Sequence, residues 1–493
     1  MSALLIVLFA VPLVAAGACV ASPNRPLVGE VATLTSATVS ALSTVALVAT
    51  VRNGSSVETA GSWLRLDPLG AVFLLATALL YAAAAAFSIG YLRGGRERPT
   101  FLPYARRYYA YLNLFAWTMI LVPLMNDFAT LWVAVELTTI VSVLLVALDR
   151  TDAALEAAWK YVLIASVGLG IALLAVVLLY AAGVPALGDS YLPRFAHYVS
   201  VAHQLPTVQV EFAFVLAVVG FGTKVGLAPL HTWLPDAHSE APSPVSALLS
   251  GALLANAFYA ILRFFEVTRL TAGAGFPRHV LLVFGTFSLV VAALFVLRQE
   301  NYKRLLAYST IEHMGVIAVG IGFGAPIAVA GALFHVINHA AAKGLAFFGS
   351  GSLVRRYDTK EIDRVRGAGR VLPFSGPMFL AAALALSAFP VSGIFRSEFQ
   401  IVSGGFQSAS YVWVALLIIL VNLAFFGVVG YAGRMVLTPV RDAGAAIARG
   451  EVSWWMVGAM AACLVVVVGL GFYLPGGLAS LLNHAAQIVG VGT

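Results

Sequence analysis

Long apolar segments recur along the whole chain, and they constrain its fold more than any single motif does. The sequence has 493 residues, of which 61% are hydrophobic and 10% are charged, whereas an average soluble domain carries about 25% charged residues. The apolar runs reach the roughly 17–25 residues that an α-helix needs to cross a bilayer. They lack the alternating pattern of barrel strands. The composition therefore predicts an all-α membrane protein.

Counting these segments predicts about fourteen transmembrane helices. They cover residues 3–21, 31–51, 66–91, 108–125, 128–148, 157–181, 208–231, 243–268, 279–297, 304–322, 325–350, 372–403, 409–433 and 453–474. No linker or low-complexity tract divides the chain, so residues 1–493 are predicted to form a single membrane domain. Its parts are helices 1–3 at residues 1–107 and a first repeat of helices 4–8 at residues 108–268. A second repeat of helices 9–13 follows at residues 279–433, and helix 14 with a short tail covers residues 434–493.

Two of the predicted spans, helices 7 and 12, are interrupted by glycine and proline. The breaks fall around residues 226–229 and 390–393, and Pro229 and Pro390 stand five spans apart. Because five is odd, the second unit enters the membrane from the opposite side, as in an inverted five-helix repeat. Broken helices free backbone carbonyls at membrane depth, which favours an ion site. The alternative is a pair of ordinary proline kinks.

The basic residues are distributed unevenly between the loops. The formal net charge is +7, which in a soluble protein would suggest a nucleic-acid partner. Of the 29 Lys and Arg residues, twenty fall in loops on one side, three lie within spans and six fall on the other side. Those six are Arg52, Arg65, Arg194, Arg263, Arg269 and Arg278. The positive-inside rule then places both termini on the outer side of a prokaryotic cell membrane, with no role for nucleic acid.

Three ionisable side chains recur at helical spacing within one apolar span. His335, His339 and Lys343 are four residues apart, so they share one face of a helix. A charge at the centre of a bilayer costs about 2.5–3.5 kcal/mol on insertion scales, so this face must meet protein or water, and a proton path is the favoured interpretation. The HxxxH spacing also suits zinc, but no third ligand lies nearby in sequence and Lys343 would repel a cation. A buried histidine with a satisfied hydrogen bond is the other alternative.

Single carboxylates and a lysine extend this pattern to other spans. Glu136 lies inside an apolar helix, where either a neighbouring hydroxyl, such as that of Thr139, or a charged partner would stabilise its carboxylate. Lys224, just before the first break, is the predicted charged partner. Glu398 follows the second break and is interpreted either as a terminal proton site or as a local ion pair with Arg396. Possible accessory or inlet residues are His231, Asp236, His238, Asn256 and His313.

The two cysteines carry little information. Cys19 and Cys463 lie in separate apolar spans, so the sequence contains no iron–sulfur motif or CxxC pair. The chain is therefore predicted to hold no cofactor and no metal. Whether it counts as an enzyme stays open, since it would act as a non-catalytic subunit.

Several linked motifs resemble one known family. The segments KVGLAPLHTWLPDAHSEAPSPVSALLSG, NYKRLLAYSTIEHMGVI and HVINHAAAKGLAFFGSGS are similar to the antiporter-like membrane subunits of respiratory complex I, Mrp-type cation/proton antiporters and membrane-bound [NiFe] hydrogenases. The resemblance covers residues 65–435. The segment EAAWKYVLIASVG is most similar to the F subunit of the hydrogenase-4/formate-hydrogenlyase type.

The resemblance implies a function and a set of site residues. By motif position, Glu136 and Lys224 match the family's helix-5 glutamate and helix-7 lysine. His335, His339 and Lys343 match the polar residues of the family's helix 11, and Glu398 matches the acidic member of its helix-12 site. It implies proton translocation within a redox complex whose partner subunits carry [NiFe], iron–sulfur or flavin centres. Other membrane subunits, a cytoplasmic-side coupling module, lipid and H⁺ or Na⁺ are the implied partners.

The chain departs from the family pattern in helix 8. Ala255 stands where many relatives have lysine, and Asn256 follows it. The central relay step is therefore expected to run through water or Asn256, or to be weakened. Two other functions stay open, a module of an Mrp-type cation/proton exchanger and an ion-coupled structural membrane subunit.

Overall fold

The computed structural model describes residues 1–22, 25–94, 100–439 and 448–490, and this part of the chain is almost entirely helical. The helices of the N-terminal half are α1 (Ser2–Ala21), α2 (Pro26–Val51), α3 (Pro68–Arg93), α4 (Phe101–Leu121), α5 (Phe128–Val146), α6 (Asp152–Leu187), α7 (Phe195–Val201), α8 (Thr207–Val225), α9 (Leu234–Glu240), α10 (Ser243–Leu248) and α11 (Leu254–Ala272). Those of the C-terminal half are α12 (Gly275–Val296), α13 (Tyr302–Phe323), α14 (Pro326–Tyr357), α15 (Ala368–Val371), α16 (Ser375–Leu386), α17 (Gly393–Gln407), α18 (Tyr411–Leu437), α19 (Trp454–Phe472) and α20 (Gly476–Val489). A short antiparallel sheet of β1 (Val57–Glu58) and β2 (Arg65–Leu66) lies between α2 and α3.

The long apolar helices make the chain a multi-pass membrane protein. Among the described residues, eleven helices are long and apolar enough to cross a membrane. The predicted spans 108–125, 325–350 and 372–403 correspond to α4, α14 and the pair α16–α17, which are not among the eleven. The helical class is therefore confirmed, and the count of fourteen spans stays a prediction.

The helices differ in how far they are enclosed by others. The most apolar windows of α13 and of the continuous helix Ser243–Ala272 are 100% buried, whereas those of α1, α18 and α19 are 33% buried. The helix α14 is packed on all sides by α3, α10, α13, α16, α17, α19 and α20. The polar row of α14 thus lies at the centre of the helix assembly, away from lipid.

Both predicted helix breaks are present. The helix α8 ends at Gly226, which takes the left-handed conformation with φ +81°; a Cβ there would lie 2.4 Å from Leu234 Cδ1, so only glycine fits. The second break lies between the end of α16 and the start of α17, where the Ser392 hydroxyl caps Phe395 N at 3.2 Å. It abuts α14, because a Cβ on Gly393 would meet Asn338 Oδ1.

Side chains satisfy the backbone groups that the first break releases. Ala228 N donates to Ser288 Oγ at 2.9 Å, and Trp233 Nε1 donates to the carbonyl oxygen of Thr223 at 2.8 Å. Such compensation is what allows a non-helical backbone within a membrane bundle. The break is therefore a fixed structural element beside Lys224.

Glycines bring α6 and α8 into close contact, as is common between membrane helices. A Cβ on Gly220 would lie 2.4 Å from the backbone nitrogen of Ala172. We therefore expect Gly220→Ala to lower the free energy of unfolding by about 1–3 kcal/mol, the usual effect of overpacking. Gly170→Ala is the matched control: nothing lies within 4 Å of a Cβ there, and alanine in a helix stabilises by about 0.5–1 kcal/mol. Thermal unfolding in detergent measures both, and equal midpoints for the two variants would refute this account of the contact.

One sequence prediction needs correction, and one helix was not predicted. The short tail after the last predicted span contains α20, whose apolar face is buried against α3 and α14. Arg263, counted among the outer loops, lies within α11 and is buried. Of the twenty cations assigned to the inner loops, Arg96, Arg98 and Arg441 lie outside the described residues.

Candidate functional site

The row on α14 has the predicted arrangement. His335, His339 and Lys343 follow one another on an uninterrupted helix, and all three are 0% exposed. Their helix contacts α13 and α17. Both neighbours bring further ionisable or hydroxyl groups to the row, so it forms one edge of a larger buried cluster.

Histidines from two helices meet at the start of this cluster. His313 Nδ1 and His335 Nε2 share a hydrogen bond of 3.0 Å, and His335 Nδ1 is 2.9 Å from Ser397 Oγ. The Ser397 hydroxyl also donates to the carbonyl oxygen of Ile394 at 2.8 Å, next to the second break. This arrangement links α13, α14 and α17 through groups that can both give and accept a proton.

His339 lies within the same cluster but is not hydrogen-bonded. Its ring centroid is 5.1 Å from that of His313 and 6.4 Å from that of His335. Both ring nitrogens are buried and have no partner among the described residues. An unpaired buried polar group is unfavourable, so His339 is the histidine of the row whose hydrogen bonding is incomplete among the described residues.

Lys343 lies one turn beyond His339. Its ammonium donates to the carbonyl oxygen of Leu306 at 2.9 Å. Glu312, on the same helix as Leu306, is also buried, with 2% of its surface exposed. The lysine is therefore held by a backbone oxygen of α13.

Glu398 completes the cluster on the side of α17. Its Oε1 is buried, has no hydrogen-bond partner among the described residues, and lies 3.9 Å from His313 Nδ1. No ion pair with Arg396 lies within 4.0 Å in the described part of the chain, so the interpretation as a local ion pair is wrong. Glu398 also borders a cavity of about 270 Å³ between α17 and α18, lined by the exposed side chains of Phe399 and Ile418.

No third metal ligand lies near His335 and His339 in sequence, but other helices bring potential ligands to His335 in the structure. His313, His335 and Glu398 each offer one ligand atom, and these three atoms lie within 4.8 Å of one another. These are the described residues that could hold a metal ion. Lys343 lies one helical turn beyond His339 on the same face of α14, and its positive charge opposes a second cation there.

A second buried site surrounds Lys224 at the end of α8. The ammonium is 0% exposed, donates to Thr139 Oγ1 at 2.9 Å, and also donates to the hydroxyl oxygen of Tyr161. The Tyr161 hydroxyl is 2.7 Å from Ser142 Oγ, and its ring stacks on Trp233 with centroids 4.4 Å apart. The lysine is thus held by hydroxyl groups of α5 and α6, beside the first break.

Glu136 lies near this site but does not pair with Lys224. Its Oε1 accepts from Ser166 Oγ at 3.2 Å, while its Oε2 is buried without a partner. Among the described residues no lysine or arginine nitrogen lies within 4.0 Å of it. The carboxylate is one turn from Thr139, which binds Lys224, so the predicted pair is open in this structure.

Asn256 is directed away from both lysines. Its amide donates to Thr77 Oγ1 at 3.2 Å and to the carbonyl oxygen of Met119 at 3.0 Å. These partners belong to α3 and α4. The predicted relay through Asn256 therefore has no direct contact with the lysine sites.

The residues after the first break include three of the groups predicted to act as a proton inlet or as accessory sites. Asp236 accepts from Arg304 at 2.5 Å and from Lys160 at 3.3 Å. His231 is nearly buried, with its ring centroid 6.3 Å from that of Tyr308. His238 is fully buried, stacks on Phe347 of α14, and has no partner for either ring nitrogen in the described chain. Neither ring makes a side-chain cap at a helix end among the described residues.

Sequence reasoning missed several members of these sites. Glu312 is absent from the predicted site residues, although a carboxylate inside an apolar span is a usable signal. Tyr161, Ser397 and Thr310 carry no such signal, because hydroxyl residues are common in membrane helices. Only the three-dimensional contacts identify them.

With this geometry in view, comparison with known proteins identifies the family. Residues 125–425 match the model of the family described as NADH:quinone oxidoreductase/Mrp antiporter, TM. The matched segment includes all the buried lysine and histidine sites described above. The chain belongs to this family of antiporter-like membrane subunits.

Individual proteins agree with the assignment. The antiporter-like subunit is similar to the hydrogenase-4 component F homolog of Methylacidiphilum infernorum (isolate V4), with 35% identity over 364 residues that cover 73% of this chain and 76% of the relative. Other curated relatives are longer, and the chain spans about half of their length.

Two solved structures share the fold. The match to a chain of the membrane-bound sulfane sulfur reductase, an archaeal respiratory membrane complex, has a TM-score of 0.85 and 23% identity and covers 98% of this chain and 97% of that one. The match to a chain of the Mrp complex from Dietzia sp. DQ12-45-1b has a TM-score of 0.85 and 21% identity and covers 100% and 99%. The resemblance deduced from the motifs is confirmed.

Proposed function

We propose that this antiporter-like subunit carries protons across the membrane within a multi-subunit redox complex of the hydrogenase or complex I type. The observation that carries the proposal is the buried cluster of α13, α14 and α17. There His313, His335 and Ser397 are joined by hydrogen bonds, and His339 and Glu398 have unsatisfied atoms beside them. Ionisable groups within a membrane bundle mark ion pathways by default.

In the proposed mechanism, Glu136 and Lys224 form the input. Closing the Glu136–Lys224 pair would favour the charged form of both groups, and opening it would favour the neutral form. The open arrangement, with Lys224 on Thr139 and Tyr161, is then the state in which the lysine releases its proton. Partner subunits, which would hold the redox centres, supply the energy for the change.

The proton then moves towards the second half of the chain. Lys343, His339 and His335 act in turn, and Glu398 releases the proton towards the cavity beside α18. His231, Asp236, His238 and His313 serve as accessory groups, with Asp236 at the inlet. The chain itself holds no cofactor in this proposal, since its two cysteines lie on separate helices, α1 and α19.

The topology of the proposal extends what the helices alone establish. We infer fourteen spans, counting α4, α14 and the broken pair α16–α17, with two inverted five-helix repeats in one membrane domain. Both termini lie on the outer side of a prokaryotic membrane and the basic loops on the inner side. The similar breaks after α8 and α16 support this symmetry.

The experiment is proton translocation by the purified whole complex in proteoliposomes. We expect Glu136→Gln or Lys224→Ala to lower the protons moved per electron by at least about tenfold, because each removes one member of the input pair and positioned proton-transfer groups act by about 10²–10⁴-fold. Electron transfer should continue in both. Translocation at the wild-type ratio in both variants would refute the assignment.

A second candidate is an exchanger module that needs no redox partner. The family description includes Mrp antiporters, and the fold matches a chain of an Mrp complex. A sodium gradient imposed without an electron donor distinguishes the two functions. Sodium-driven proton movement would favour the exchanger, and its absence together with donor-driven movement favours the redox complex.

A further inference from the structure

The helix that lacks the family's lysine changes its winding just before that position. Between α10 and α11 the residues Leu249–Leu253 form a π-helix, and the whole segment is buried. A π-turn inserts one extra residue and turns the helix face, and such turns occur often at functional sites. Ser250 is the second residue of this turn.

The hydroxyl of Ser250 is connected to Lys343 through Thr310 and a carbonyl oxygen that Thr310 and Lys343 share. Ser250 Oγ is 2.7 Å from Thr310 Oγ1 of α13. The Thr310 hydroxyl donates to the carbonyl oxygen of Leu306 at 3.0 Å, and Lys343 Nζ donates to the same oxygen at 2.9 Å. Since Thr310 has a single hydroxyl hydrogen, Ser250 is the donor in the first bond.

A close approach between helices holds Ser250 in place. A Cβ on Gly251 would lie 3.1 Å from Ala340 Cα and 2.5 Å from Leu80 Cδ1. Glycine at this position therefore allows the π-turn to touch the backbone of α14. Ala340 lies between His339 and Lys343, so the contact places the turn directly against the polar row.

Other side chains of this helix stretch cannot make the same link. Ala255 has no polar atom, and the amide of Asn256 is bound to Thr77 and to Met119 O. Ser250 and Thr310 are both 0% exposed. The oxygen of the Ser250 hydroxyl can still accept a hydrogen bond. This buried pair of hydroxyls is therefore suited to passing a proton on while both hydroxyl groups stay neutral.

We propose that the hydroxyls of Ser250 and Thr310 form a neutral bridge that delivers protons to Lys343 in place of a lysine at position 255. The proposal rests on the proposed proton translocation. Ser250 Oγ accepts a proton from a hydronium ion, which leaves as water, and gives its own hydroxyl proton to Thr310 Oγ1. The Thr310 hydroxyl, which shares its acceptor Leu306 O with Lys343, then turns from that oxygen and gives its proton to the neutral Nζ of Lys343. Each oxygen gains one proton and loses one, so the charge ends on the lysine.

The alternative is that the two hydroxyls only fasten the helices together. A hydrogen bond between membrane helices contributes only modestly to stability, so its loss should leave assembly nearly unchanged. Substitutions that keep the shape but remove the hydroxyl separate the two roles. Thr310→Val removes it, and Thr310→Ser restores it with less volume.

The test compares these variants in the whole complex, as protons moved per electron in proteoliposomes. We expect Thr310→Val and Ser250→Ala to lower the ratio by at least about tenfold, within the range by which positioned proton-transfer groups act, and Thr310→Ser to stay close to wild type. Ser352→Ala is the control, because this buried hydroxyl of α14 donates to Phe348 O and Met460 Sδ and to no member of the polar row. If Thr310→Val fails to assemble, Ser250→Ala decides.

The outcomes are distinct from those that test translocation itself. Wild-type ratios in Thr310→Val or Ser250→Ala, with the ratio lost in Lys224→Ala, would overturn the bridge and leave the proposed function standing. Equal loss in Thr310→Val and Thr310→Ser would also overturn it, because the hydroxyl would not be the cause. Full translocation in Lys224→Ala would overturn the proposed function.

Discussion

Replacing Lys343 with methionine is expected to lower the proton-to-electron ratio by at least about tenfold, a change of about 1.4 kcal/mol or more. The ammonium lies between His339 and the bridge of Ser250 and Thr310. In the proposed route, each proton passes from this bridge to Lys343 and then to the histidines of α14. Methionine has a similar length and no charge, so it fits a buried site without leaving an unpaired cation. Proton uptake during a burst of electron transfer in proteoliposomes measures the effect.

Another buried lysine, Lys303, provides the matched control. Lys303 is 2% exposed and donates to a backbone carbonyl, that of Ala241, at 2.5 Å. It lies in the first turn of α13, far along that helix from His313. If Lys303→Met reduces the ratio as much as Lys343→Met does, the effect belongs to the loss of any buried lysine and the assignment of Lys343 fails.

Removing Arg263 is expected to produce the largest loss of stability. Its guanidinium donates to Asp67 Oδ2 at 2.5 Å, to Glu266 Oε2 at 3.3 Å and to the hydroxyl oxygen of Tyr259 at 3.0 Å. The side chains of Arg263 and Asp67 are only 4% and 8% exposed. Breaking a buried pair by deleting one partner costs about 3–5 kcal/mol, because the remaining charge is left uncompensated. We expect Arg263→Gln to lose that amount, measured by unfolding in detergent.

The ion pair of Arg65 and Glu58 has similar chemistry but is more exposed, and it serves as the comparison. Arg65 and Glu58 lie 3.6 Å apart with side chains 27% and 38% exposed. Such pairs contribute about 0–1 kcal/mol, so Arg65→Gln should unfold close to wild type. Similar unfolding midpoints for Arg263→Gln and Arg65→Gln would show that burial does not decide the strength of the Arg263 network.

The sequence predicts the features that depend on one helix at a time. The apolar runs locate the long helices, since crossing a membrane needs length and hydropathy, and the four-residue spacing aligns His335, His339 and Lys343. The breaks at Gly226 and near Pro390 follow from local backbone chemistry. The helix α20 was missed because its apolar residues occupy one face of a segment too short to span.

Contacts between helices could not be deduced in the same way. His313 and Glu398 reach His335 from α13 and α17, and nothing in their spacing along the chain indicates this. The predicted pairing of Lys224 with Glu136 assumed that opposite charges meet, whereas hydroxyls of Thr139 and Tyr161 bind the lysine instead. Asn256 was favoured for its position beside Ala255, but the π-turn presents Ser250 to α13.

The most direct test of the account is the proton-to-electron ratio of the complex that carries His339→Ala and Lys343→Met together. Both side chains are fully buried on one face of α14, and no step of the proposed route bypasses them. The account predicts electron transfer with a ratio reduced by at least about tenfold. A wild-type ratio would contradict it, and would instead mark this subunit as a structural component whose polar row no longer conducts.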